Sequence, residues 1–500
     1  PDIGQKSMNA VKTGGVRMEY SMEEELRKWK IPGCQITVAR NGKILYDAAF
    51  GQKVFTEAEK TSGNVFYNAE PVTTETRFCI ASCTKSFTVL IAAMLADEGL
   101  LDLDEPIVAY IPDFAMKDEY AGAHVTLRDI FLHRTGLAGH DFTWPDYEHT
   151  EEDYMKNIRY LDAVVPFRTR PEYNNVMYIL AGYIEEIVTG KNWGELVKER
   201  ILRPLGMTHT YVSLEEVPLG TDLAEGYKDG QRLTSIAPKE RASGSIVSTT
   251  EDLTKWLQFH LQKGIWNGKR LVSEKMMQMI HEPQVIFEGE KYPFEPGCIP
   301  VCYGLGWFIR DYRGVQIQYH HGGTLGFCSL QAYLPEYGIS VAMLMNGHGT
   351  GAFFEDAILS TVIDRLLEPE LPHIETNWLE QYFTIYPGTN HDIDLVPDSW
   401  EPEQIEADFP EAFCGRYHMK GYPDIEIMKE GTKGVLVFKA FRRPLLKVTK
   451  DHYIVDGLIA DTEFYRLPVS FIWKEGIVCA VQIPLERSLP ALEFEKGEIE

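Results

Sequence analysis

The 500-residue chain has no excess of positive charge: 49 basic residues stand against 74 acidic ones, a net charge of −25. This counts against nucleic acid or an anionic membrane surface as a partner. No stretch reaches the length of a transmembrane helix. The eight cysteines include no Cys-x-x-Cys pair, and most lie between apolar neighbours. They read as small buried hydrophobes in a reducing compartment. The chain opens Pro1-Asp2-Ile3-Gly4, without a basic-then-apolar signal segment, so a cytoplasmic location is the expectation. There is no Gly-x-Ser-x-Gly elbow, no His-Glu-x-x-His and no phosphate-binding Gly-x-x-x-x-Gly-Lys-[Ser/Thr]. The 14 histidines show no ligand spacing beyond the adjacent pair His320-His321. No metal and no cofactor are expected. Repeats of solenoid length are also missing.

Hydrophobic residues make up 44% of the chain and aromatics 12%, enough for large cores, and the length suggests two or three domains. Residues 16–30 have a helical period through Met18, Met22, Leu26 and Trp29. Asn41-Gly42 between two apolar runs is a hairpin signal. Residues 52–76 read as a surface excursion. The long apolar run that begins near Ser82 and stops at Gly99 reads as a buried helix. Helical periods dominate 106–300, with a capping-box-like start at Thr126 and Asp129, a helix from Val176 to Val188 ended by Gly190, and another opening at Thr249. Strands follow from 303 as a meander, then a closing helix from Phe353 to Leu367. Strands and helices at both ends thus enclose a helical block. The expected fold class is α/β (α+β), one discontinuous layer (1–105 and 301–368) with a helical insertion (106–300). Residues 369–409, rich in Pro, Asp and Glu, read as a linker, and 410–500 as a small all-β barrel or sandwich.

Three stretches carry chemistry. Ser82 and Lys85 are three apart at a helix start, so their side chains share a face. Burial and the helix dipole both disfavour a charged lysine there, and a neutral Lys85 could take the Ser82 proton. The alternative is a serine cap and a lysine that snorkels outward. Tyr173-Asn174-Asn175 precedes the second apolar helix. A phenol beside a lysine is expected to lose its proton more easily and act as a base, while Asn175 could hold the lysine amine or a substrate amide. The alternative is a capped helix start. His320-His321-Gly322-Gly323-Thr324 puts glycines on an apparent strand, where a backbone can approach closely and an N–H can serve an oxyanion. Here His321 could polarise a leaving group or a substrate carboxylate. The alternative is a glycine-rich hairpin.

Together these stretches resemble the serine β-lactamase-like, penicillin-binding-protein family, and within it the class C β-lactamase, D-aminopeptidase and esterase group. The likeness is carried by Phe78 to Thr88, by Thr126-Leu127-Arg128-Asp129-Ile130-Phe131-Leu132-His133-Arg134-Thr135-Gly136-Leu137, by Tyr173-Asn174-Asn175 with Ala181-Gly182-Tyr183, by Pro204-Leu205-Gly206-Met207, and by Gly322-Gly323 with Gly326-Phe327. It covers roughly residues 20–365, in the family's order. Cys414-Gly415-Arg416-Tyr417 and Gly421-Tyr422 resemble the lipocalin-like tail of some members. The resemblance implies an antiparallel sheet with a helical subdomain, followed by a lipocalin-like barrel. It implies that Ser82 is the acylated nucleophile, that Lys85 and Tyr173 share its proton, that Asn175 orients Lys85, and that N–H groups of Ser82 and Thr324 hold the oxyanion. The β-lactamases and transpeptidases of the group carry a lysine where His321 is aligned, which lowers the standing of β-lactamase activity. The expected activity is a serine hydrolase acting through an acyl-enzyme on a small ester or amide, of esterase or D-amino-acid peptidase type. An acyltransferase using the same acyl-enzyme, a β-lactamase or D,D-carboxypeptidase, and a non-catalytic binding protein are the alternatives. The expected partner is a small-molecule or peptide substrate, with self-assembly left open. Specificity is expected in 52–76, in the loop at 137–160 with Trp144 and Tyr147, and in 282–303.

Overall fold

A computed structural model describes residues 21–54, 70–143, 151–228, 231–233, 241–287, 300–324, 326–349, 351–368, 371, 374–385, 393–403, 408–439, 441–456 and 464–497. Met18, Trp144, Tyr147 and most of the 52–76 excursion lie outside these residues, as does the middle of 282–303.

The chain ends of the first 368 residues meet in one nine-stranded antiparallel sheet. Its order is Val285–Ile286, Cys302–Tyr303, Phe308–Tyr312, Val315–Thr324, Phe327–Leu334, Ile339–Met345, Gly33–Arg40, Lys43–Val54 and Glu70–Pro71. The discontinuity closes where Gly33–Arg40 pairs with Ile339–Met345, Cys34 opposite Met345. Asn41 (φ 52°) and Gly42 (φ 77°) both take the left-handed conformation that a two-residue hairpin turn requires. One face of the sheet is covered by the helices Met22–Lys28 and Gly351–Leu366, with Trp29 set edge-on to Phe354 at 5.5 Å. The other face packs on the helix Lys85–Asp97 and the helical block, where Phe87 stacks on Trp256 at 4.0 Å.

Local signals placed the helices well. Thr126 and Asp129 form a reciprocal capping box, and Gly190 ends the helix Asn175–Thr189 in the left-handed region. Asp129 is fully buried and joined to Arg134 and Arg168. The helical block also carries short strands: Val247–Ser248 pairs with Phe78–Cys79 and so fixes the segment leading into Ser82. One expectation needs correction. The span 369–409 contains the helix Trp378–Ile385, whose Trp378, Leu379 and Tyr382 bury against the sheet's outer layer.

Eight antiparallel strands from Gly415–His418 to Leu492–Lys496 form a closed barrel, since the first pairs with the last and Phe464–Lys474 pairs with Ile477–Ile483. Closure leaves no sheet edge among these strands. This is the all-β, lipocalin-like tail that the resemblance implied.

A buried histidine pair sits in the helical core. His260 Nδ1 and His281 Nε2 are 2.8 Å apart, and Tyr333 O–H lies 2.9 Å from His281 Nδ1. Burial holds both rings neutral, His281 down to about 3. A histidine depressed below its unfolded value stabilises the fold above the unfolded value and loses that contribution as pH falls towards the folded one. The unfolding midpoint is therefore expected to drop between about pH 6.5 and 3, and His281→Gln is expected to flatten that drop. Equal slopes in the two proteins would assign acid sensitivity elsewhere.

Candidate active site

The chain reaches Ser82 through a strained turn. Ile80 N–H donates to Ile246 C=O, Ala81 is held at φ 44°, and residues Ala81–Thr84 form a 3-10 turn ahead of the helix Lys85–Asp97. A left-handed alanine is costly and is held here by the contacts on both sides. Sequence placed the helix start at Ser82; the α-helix proper starts at Lys85. In a 3-10 turn residues three apart eclipse, which brings the two side chains together. Lys85 Nζ lies 2.9 Å from Ser82 Oγ. Neither the turn nor the helix has a side-chain cap, and Lys85 is fully buried, so the capping and snorkelling alternatives do not describe these residues.

Lys85 Nζ donates further to Asn175 Oδ1 at 2.6 Å and to Ser243 C=O at 3.0 Å. An ammonium has three hydrogens, and these are three acceptors. In the neutral amine, two hydrogens still serve Asn175 and Ser243, and the lone pair is left facing Ser82. Ser243 C=O was not legible in sequence because a backbone carbonyl has no residue signature. Asn175 is turned by a second contact: its Nδ2 donates to Asp141 Oδ1 at 3.0 Å. Asp141 was also missed. Asn174, not Asn175, caps the helix, accepting from Met177 N–H at 2.9 Å. That sets Asn175 in the first turn and Tyr173 just outside it.

The Tyr173 phenol hydrogen-bonds with Ser82, and its ring lies 4.8 Å from Lys85 Nζ. The phenol stays protonated. Burial, with Tyr303 nearby, raises Tyr173 well above the usual tyrosine range despite the Ser82 bond. The expected easy loss of its proton is thus reversed: desolvation of the phenolate outweighs the Ser82 hydrogen bond. His133 stacks on Tyr173 at 4.3 Å and accepts from Asn174 N–H through Nδ1. Cys83, next to Ser82 in the turn, is directed at the sheet. Burial pushes its thiol up to about 12, and Sγ donates to His320 C=O.

The glycine strand Val315–Thr324 needs the largest correction. His321 does not face Ser82. It lies on the opposite face of the sheet between two acids of the helix Gly351–Leu366, with Nδ1 3.1 Å from Glu355 and Nε2 3.2 Å from Asp356. Burial opposes its charge, but these carboxylates raise it above the usual histidine range. His320 is the histidine on the Lys85 side. Its Nδ1 donates to His321 C=O at 2.5 Å, and Nε2 accepts from Tyr303 O–H at 3.0 Å. Burial and the Lys85 charge lower His320 to about 3, so the ring is neutral. Side chains alternate along a strand, so a one-residue slip in alignment exchanges the two histidines between faces.

The same slip affects the backbone donors. Thr324 pairs with Phe327 across two residues, the hydrogen-bonded closing pair of such a hairpin, with 322 opposite 329 in the same phase. Thr324 N–H is therefore engaged with Phe327, and it does not face the cleft as expected. Gly323 N–H points to the other edge, where the neighbouring strand begins only at Phe308 opposite Tyr319. Gly322 meets the nucleophile turn directly: a Cβ there would fall 2.2 Å from Ile80 C=O and 2.3 Å from Ser329 Oγ. Among the described residues no group of three or more His, Cys, Asp or Glu could hold a metal ion. No described helix is long and apolar enough to cross a membrane.

Ser82 thus meets both the buried Lys85 and Tyr173 where the nine-stranded sheet faces the helical block. The chain belongs to the Beta-lactamase family, whose sequence model matches residues 21–363 and whose members are generally serine hydrolases. It is 28% identical over 378 residues to the Unguisins hydrolase ungD' of Aspergillus campestris, covering 72% of this chain and 67% of that one. It is 26% identical over 322 residues to Penicillin-binding protein 4 of Amycolatopsis lactamdurans, covering 61% of this chain and 80% of that one. Among solved structures, the octameric penicillin-binding protein homologue from Pyrococcus abyssi matches 95% of this chain and 98% of its own, with a TM-score of 0.56 at 24% identity. SurE with D-Leu matches 95% and 97%, with a TM-score of 0.52 at 19% identity. At these identities the structural matches speak for the fold alone, barrel included.

Proposed function

We propose that the chain is a serine hydrolase that forms an acyl-enzyme at Ser82 from a small ester or amide, of esterase or D-amino-acid peptidase type. The observation that carries this reading is that one hydroxyl, Ser82 Oγ, is bonded at once to a buried lysine and a protonated tyrosine. Lys85 in its neutral form takes the Ser82 proton while Asn175 and Ser243 hold its other hydrogens. Ser82 Oγ then bonds to the substrate carbonyl carbon, and the carbonyl oxygen takes the charge against the N–H groups of Ser82 and Gly323. Tyr173 gives its proton to the departing alcohol or amine and regains one from Lys85 through the serine site. Water enters the emptied leaving-group position, and reversal of the proton path releases the acid.

The neutral His320 disfavours a β-lactamase or D,D-carboxypeptidase reading, because it offers no cation to the carboxylate of a penicillin or a peptide terminus. Treatment with a fluorophosphonate and, separately, with a fluorescent penicillin tests both points, with the adduct mapped by mass spectrometry. The fluorophosphonate is expected on Ser82 and little penicillin is expected to be turned over. No adduct with either reagent would remove the acyl-enzyme reading, and rapid penicillin turnover would restore β-lactamase.

A further inference from the structure

Asp141 joins the site to the barrel. Its Oδ1 accepts from Asn175 Nδ2 at 3.0 Å, and this leaves Asn175 Oδ1 directed at Lys85 Nζ, 2.6 Å away. A carboxamide has one acceptor end and one donor end, so holding the donor end chooses which end meets the lysine. Without Asp141, the amide can turn and set an NH2 against the amine.

The residues on either side of Asp141 are gripped by the barrel. His140 N–H donates to Glu486 Oε2 at 2.8 Å. His140 Nε2 donates to Asp162 C=O at 2.8 Å, so its Nδ1 is the acceptor and takes the Tyr422 O–H at 2.6 Å. Phe142, on the other side, meets the Phe438 ring edge-on at 5.7 Å. His140 is almost fully buried and sits at φ 49°, a conformation that persists only where its surroundings impose it. Three separate barrel positions, Tyr422, Phe438 and Glu486, supply those surroundings.

We propose that the C-terminal barrel is a working part of the catalytic centre. Through Tyr422 and Glu486 it holds His140, and thereby sets Asp141 where it orients Asn175 against Lys85. Asp141 is a positioning residue, and the barrel side chains act through it. This rests on the acyl-enzyme reading above, because its readout is the reactivity of Ser82 Oγ as a nucleophile.

The test measures the rate of fluorophosphonate labelling at Ser82 in the full chain, together with the unfolding midpoint. Tyr422→Phe is expected to slow labelling about 3- to 10-fold, the worth of one hydrogen bond, with the midpoint little changed. Asp141→Ala is expected to slow it about 10-fold or more. Asp141→Asn, which still offers an oxygen to Asn175, is expected to recover most of the rate. The decisive result is the double variant: Asp141→Ala/Tyr422→Phe is expected to be no slower than Asp141→Ala alone, since both changes remove one path. Multiplying effects, or a lowered midpoint with an unchanged labelling rate in Tyr422→Phe, would overturn the proposal. An unlabelled wild-type protein would instead remove the acyl-enzyme reading beneath it.

Discussion

Lys85→Ala is expected to slow acylation of Ser82 by about four to six orders of magnitude, the scale seen when a serine nucleophile loses its base. The size follows from the geometry. No other described base reaches the hydroxyl: Tyr173 is held protonated by burial, His320 bonds to Tyr303, and His133 faces Asn174 N–H with its accepting nitrogen. Removing the amine also takes a hydrogen bond from the part-buried Asn175 Oδ1 and from the buried Ser243 C=O. Tyr173→Phe is a useful contrast, because it removes a proton donor and leaves the base. It is expected to cost about two to four orders of magnitude, with the larger loss on substrates whose leaving group is a poor one. Single-turnover acylation, followed with an activated ester and an unactivated amide, separates the two. Near-normal rates in either variant would take that residue out of the proton path, and circular dichroism with a thermal melt shows whether each variant is folded.

What sequence showed and what it hid divide along physical lines. The Asn41-Gly42 turn, the Thr126–Asp129 box and the Gly190 stop depend on a few adjacent residues, and each stands where its local chemistry placed it. Ser82, Lys85, Tyr173 and Asn175 stood out for a similar reason: each lies in or just before the first turn of a helix whose apolar run announces it. The two histidines were not separable, because His320 and His321 differ only in phase, and phase is set by pairing with a strand elsewhere in the chain. The Tyr173 proton was misjudged because sequence shows the nearby lysine and not the depth of burial. Asp141 and Ser243 lie in short 3-10 turns and enter the site through tertiary contacts alone. The helix Trp378–Ile385 was hidden by acidic and proline-rich neighbours, and it is held by packing on the helix Gly351–Leu366, where Trp378 N–H donates to Asp364.

Gly322→Ala is expected to slow acylation of Ser82 about 100-fold or more and to lower stability by about 1–3 kcal/mol. A methyl group at this position would lie 2.2 Å from Ile80 C=O and 2.3 Å from Ser329 Oγ, far inside contact distance. Neither atom can easily yield. Ser329 O–H donates to Ile80 C=O at 2.7 Å, and Ile80 is anchored by its N–H on Ile246. Relief therefore requires the strand and the nucleophile turn to move apart. Ile80 is two residues from Ser82, and Gly322 is next to Gly323, so the widened gap opens between the nucleophile and the N–H edge that faces it. Gly323→Ala is the control. Its added carbon would meet His348 at an ordinary 3.5 Å, on the other face of the strand. The two glycines are adjacent and neither has a left-handed φ, so backbone freedom does not distinguish them. Only contact with the turn does. Labelling rates and unfolding midpoints of the two alanine variants check this: equal behaviour would show that the close approach at Gly322 does not set the spacing of the site.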